Sequence, residues 1–99
     1  MGKKLQPDQM ELYNRIDEIL WEDWDPIGVN DVPEARDEYS SYLPHIFRLA
    51  LEGADRERIA NSLVATIETN IGLTANKEHN LKVAEKIVRA KRKFIDKSE

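Results

Sequence analysis

The chain has 99 residues, no cysteine and a net charge of −4. A single domain of this size can bury a core without cross-links, and the lack of thiols excludes both a disulfide framework and a thiolate metal site. No apolar run reaches the ~18 residues of a membrane span, and the opening MGKKLQPDQ has lysines but no apolar stretch behind them, so neither a membrane anchor nor a signal peptide is expected and a cytoplasmic location is.

Residues 1–6 read as a flexible lead-in. Pro7 suits the first turn of a helix, with Asp8 and Glu11 near its positive end. Leu12, Tyr13, Ile16, Ile19, Leu20 and Trp24 then recur at helical spacing, which predicts a first helix from about Pro7 to about Trp24. Asp25-Pro26 stops it, because the residue before proline is pushed out of the helical region. The Asp25 side chain can close an Asx turn, and Gly28 supplies a conformation other residues resist. Ile27 and Val29 are expected to tuck beneath this loop.

A second helix is predicted to begin near Pro33 to Asp37, with Tyr39, Tyr42, Leu43, Ile46, Phe47, Ala50 and Leu51 as its apolar stripe and Gly53 as its end. Pro44 lies inside that pattern, so a kink, or a short helix followed by a longer one, is expected there. Asp55 caps a third helix whose stripe is Ile59, Ala60, Leu63, Val64, Ile67 and Ile71, ending at Gly72. Thr74 or Asn76 caps a fourth, with Leu81, Ala84, Ile87, Val88, Phe94 and Ile95 inward and the Lys91 stem lying over the core. The tail frays from 96 to 99. No stretch alternates with period two, and the connections are short, as between antiparallel neighbours. The expected fold over 1–99 is therefore one all-α, compact four-helix domain, with a structured Asp-Pro/Gly corner between helices 1 and 2 built from Trp24, Asp25, Pro26, Gly28, Tyr39 and Tyr42.

Charge is unevenly spread. The first 75 residues hold 15 acids against 7 bases, and the last 24 hold 8 bases against 4 acids. Between Asp17 and Glu38 only Arg36 opposes Asp17, Glu18, Glu22, Asp23, Asp25, Asp31, Glu34, Asp37 and Glu38. Such a field repels nucleic acid and speeds association with basic surfaces. Asp17, Glu18, Glu22, Asp23, Asp31, Glu34 and Glu38 are accordingly the candidate partner-binding residues. The run Asp23–Glu34 also places Asp23, Asp25, Gly28 and Glu34 at positions 1, 3, 6 and 12 of a calcium loop, but Ile27 offers no side-chain oxygen at position 5 and two prolines stiffen the wrap. His45 and His79 are isolated and make no metal signature. No nucleophile elbow, phosphate loop or dinucleotide fingerprint is present, so neither enzymatic activity nor a cofactor is expected. The basic, amphipathic KIVRAKRKFIDK leaves nucleic-acid binding as an alternative.

The string Trp24-Asp25-Pro26-Ile27-Gly28-Val29, followed by Asp37-Glu38-Tyr39 and Tyr42, resembles a family of small bacterial helical proteins of unknown function. They share a W-D-P-I-G-V corner and a D-E-Y-x-x-Y segment on the next helix, and the likeness covers most of residues 10–90. Some proteins with this pattern act as immunity proteins in toxin–immunity systems, including contact-dependent growth inhibition. The resemblance implies a cytoplasmic protein that neutralises a cognate toxin by binding it, and it carries no known chemistry. A basic toxin would suit the acidic run. The competing expectation is a housekeeping helical domain without a toxin partner.

Overall fold

Pro7 opens the first helix, α1 (Pro7–Ile19), and Gln9 Oε1 accepts from the backbone N–H of Gln6 at 3.1 Å, satisfying one orphan donor at the helix start. A computed structural model describes residues 5–96, so most of the lead-in (1–4) and the last residues of the tail (97–99) lie outside the described residues. Within that span the fold is all-helical, with α2 (Leu43–Leu51), α3 (Arg56–Ala65) and α4 (Lys77–Lys91) following α1. Leu5 already packs against the core. α1, α3 and α4 each continue in a wider π-helical turn, at Leu20–Trp24, Thr66–Ile71 and Arg92–Asp96. The radius of gyration, 13.1 Å, equals the ~13 Å expected of a single 100-residue domain.

The core follows the stripes. Leu12, Ile16, Ile19 and Leu20 of the first helix, Ile59 and Leu63 of α3, and Val83, Ala84 and Ile87 of α4 are all but fully buried. Each large aliphatic side chain so buried contributes about 1.5–3 kcal/mol. α4 packs against each of the other three helices, and its inward Ala84 and Ala90 let those neighbours approach closely. Tyr13 meets Phe47 edge-on, with ring centroids 5.0 Å apart.

Two helix ends match their sequence signals closely. Gly53, in the left-handed conformation, donates to Ala50 O while Ala54 N reaches back to Leu49 O, the paired bonds of a Schellman ending after α2. Asn76 rather than Thr74 caps α4, its side chain accepting from His79 N at 2.9 Å.

Three expectations are corrected. The α-helix expected from Pro33 to Asp37 onward starts only at Leu43; before it lie a 3₁₀ turn, Pro33–Ala35, and successive i→i+3 turns through Tyr42. Pro44 is the reason, since its ring would clash with the Ser40 carbonyl and it has no N–H to give, so it is accommodated only in the first turn of α2. Ile27 does not tuck under its loop but is 42% exposed, while Val29 does pack on the core. The Ile27 backbone is fixed instead by polar bonds: its amide donates to the Tyr39 hydroxyl, which donates to the Asp25 carboxylate. The inward face of α4 is rotated from the expected one: Asn80, Val83 and Ala90 join Ala84 and Ile87, and Leu81, Val88, Phe94 and Ile95 flank it half-buried.

Candidate functional site

One carboxylate ties the loop after the first helix to Tyr39. Asp25 is the single non-glycine residue with positive φ among the described residues (φ 34°), a conformation aspartate tolerates better than most. Its Oδ1 accepts from Val29 N at 2.9 Å and from the Tyr39 hydroxyl at 2.7 Å; its Oδ2 accepts from Asn30 N at 3.3 Å. Tyr39 in turn accepts from Ile27 N at 3.1 Å. Trp24 packs edge-on against Tyr39 (5.4 Å) and Tyr42 (6.0 Å). Its indole N–H donates to Asn80 Oδ1 at 2.8 Å, and the other end of that amide donates to Asn76 O at 2.7 Å. Asn80 is 1% exposed and was not singled out from the sequence; a polar residue beside His79 at the start of an amphipathic helix looks like its wet face. The signal that could have found it is Trp24 itself, because a buried indole N–H needs an acceptor.

Burial first, and then the hydrogen bond to Asp25, push the Tyr39 phenol above its ordinary range. Because the folded value lies above the unfolded one, the stability this group contributes is complete below about pH 10 and drains away as pH rises toward the folded value, at up to about 1.4 kcal/mol per pH unit. Urea titrations between about pH 9 and 12 are therefore expected to show wild type losing stability more steeply than Tyr39→Phe. Parallel slopes would show that Tyr39 does not resist ionisation.

The candidate acids divide into two groups. Asp17 holds Arg36 through two bonds, 3.0 and 3.3 Å, and the same guanidinium lies over Trp21 at 5.3 Å. Glu18 pairs with Arg15 at 3.0 Å, and Asp23 with Lys86 of α4 at 3.2 Å. These pairs sit at the surface, where such contacts are worth about 0–1 kcal/mol each. Glu22, Asp31, Glu34 and Glu38 are exposed and form no ion pair among the described residues, and the same holds for Asp37, which is not among the candidates. Asn30 Nδ2 donates to Glu22 O at 3.2 Å, which ties the end of the first helix to the loop carrying Asp31 and Glu34. Ile27 and Val32, 42% and 40% exposed, stand in that same loop.

Two of the positions that match a calcium loop are otherwise engaged. Both oxygens of Asp25 are taken up by amides and a hydroxyl, Asp23 is turned to Lys86, and no three His, Asp or Glu side chains converge among the described residues. His79 places Nε2 3.4 Å from the Trp24 carbonyl, near the C-terminal end of the first helix, while His45 lies exposed on α2. No helix among the described residues is long and apolar enough to cross a membrane. Comparison with protein-family models, with curated proteins and with solved structures finds no match to this chain.

Proposed function

We propose that this chain is a protein-binding module that docks a basic partner surface on the segment Ile27–Glu38. The observation that carries the reading is the company Ile27 and Val32 keep. Two apolar side chains stand exposed in a loop whose carboxylates, Asp31, Glu34 and Glu38, are not spent on ion pairs among the described residues. Exposed apolar and charged side chains in one segment supply the two elements of an interface: apolar contact gives affinity and charge gives steering. Asp17, Glu18 and Asp23 are already occupied by Arg36, Arg15 and Lys86, so they contribute less to the outward field than the sequence alone implies. The immunity-type resemblance names the partner class, a toxin whose basic surface the module would cover. Nucleic-acid binding along α4 is less favoured, because Glu78 and Glu85 interrupt its basic residues and Lys86 and Lys91 are each paired with a carboxylate of the chain itself, which leaves no continuous basic stripe for a phosphate backbone.

The test is co-expression with the product of the adjacent reading frame, followed by stopped-flow association of the purified pair. Growth rescue and a stable complex are expected. The combination Asp31→Lys, Glu34→Lys and Glu38→Lys is expected to slow association by about 10-fold or more at low salt, and Ile27→Ser with Val32→Ser to speed dissociation. No rescue and no complex would overturn the module reading, and an unchanged association rate would remove the carboxylates from it.

A further inference from the structure

Away from that loop, a hollow of about 460 Å³ opens where the α2–α3 turn meets the C-terminal end of α4. Its floor is small and apolar, formed by Ala50, Ala54 and Val88. Its walls carry Arg56, Arg89, Lys91 and Arg92 against Asp55, Glu85 and Asp96, so cations outnumber carboxylates here in a chain whose net charge is −4. The carboxylates are, moreover, committed. Asp55 caps α3 by accepting from Arg58 N at 2.9 Å, and Asp96 holds Lys91 Nζ at 3.0 Å. Glu85 is shared between Arg89 at 3.1 Å and Arg56 at a looser 3.5 Å. Arg92 has no ion pair among the described residues. Three guanidiniums bring five N–H donors each; Arg56 and Arg89 share one carboxylate, Glu85, and Arg92 is paired with none among the described residues, so the hollow has a large excess of donors of the kind that match phosphate and carboxylate oxygens. The volume exceeds what one phosphate needs and falls within the ~300–1,000 Å³ of small-ligand sites.

We propose that this hollow binds a small multivalent oxyanion of the diphosphate class, gripped by Arg56, Arg89 and Arg92 above the Ala54–Val88 floor. The three arginines are surface residues, so their replacement by glutamine leaves the core intact, which the melting temperature without ligand verifies. Calorimetric titration of inorganic pyrophosphate, at an ionic strength fixed with chloride, is expected to give saturable one-site binding. Arg92→Gln and Arg56→Gln are each expected to weaken it by about tenfold or more, the loss of a charged hydrogen bond. Lys77→Gln, at the far end of α4, is expected to bind as wild type does. Absence of saturable heat, equal affinity in the Arg56→Gln/Arg92→Gln double variant, or the same saturable heat from chloride titrated alone would overturn the proposal. So would a concentration-dependent dimer in sedimentation that Arg92→Gln abolishes, since the hollow would then hold acids of a second copy.

Discussion

Trp24→Ala is expected to lower the unfolding free energy by about 4–8 kcal/mol. Two physical losses add. Truncating a 2%-exposed indole leaves a cavity among Tyr39, Tyr42 and the first helix, at a cost of about 3–5 kcal/mol. It also strips the buried Asn80 Oδ1 of its donor, and an unsatisfied buried acceptor costs about 1–3 kcal/mol. A domain of this size has roughly 5–15 kcal/mol in total, so the variant should melt at least about 20 °C below wild type or be substantially unfolded. Trp24→Phe separates the two losses by keeping most of the packing. It should cost about 1–3 kcal/mol, and combined with Asn80→Leu it should show a coupling of about 1 kcal/mol or more in a double-mutant cycle. Additive costs would mean that the indole–amide bond is not the link between the first helix and α4.

That link also marks where reading the sequence ran out. The ends of α2 and of the π-helical turns that prolong α1 and α3 were legible because Gly53, Asp25-Pro26 and Gly72 are local signals acting on their own neighbours. Lys91 was legible for a related reason: a lysine inside an apolar stripe must lay its stem on the core, and its side chain is 20% exposed with the ammonium on Asp96. Asn80 was not legible, because its burial is decided by a partner on another helix. Nor was the course of residues 33–42, where Tyr39 and Tyr42 fit a helical stripe but Pro44 overrules it from downstream. An alternating series of i→i+3 turns can place two tyrosines against Trp24 as well as a helix can, so the aromatic spacing predicts the contact without predicting the backbone.

The acidic run shows the same limit in electrostatic form. Its members can be counted from the sequence, but their availability cannot, because that depends on cations brought up from distant positions. Lys86 reaches Asp23 from α4, and Arg36 folds back onto Asp17 from the loop. What remains exposed and unpaired among the described residues is Glu22 and the outer half of the run, from Asp31 to Glu38, which follows the turn that Asp25 bonds through Val29 and Asn30. The residues that build the site and those that would meet a partner are therefore different sets.

Asp25→Ala should expose that division. Three donors lose their acceptor at once, the amides of Val29 and Asn30 and the hydroxyl of Tyr39, and alanine must also hold a positive φ that costs about 1–2 kcal/mol. The site is partly solvated, so water recovers some of the loss, and about 3–4 kcal/mol of destabilisation is expected in urea unfolding. Asp25→Asn keeps one acceptor oxygen and a residue type that tolerates the left-handed region, and should cost about 1–2 kcal/mol. The ordering matters more than either value. If Asp25 shapes the docking loop, alanine should also weaken partner binding at temperatures where the variant is fully folded, while asparagine weakens it less. A cost below about 1 kcal/mol for alanine, or binding unchanged in both variants, would show that Ile27–Glu38 keeps its form without this carboxylate, and that the turn is set by Pro26 and Gly28 alone.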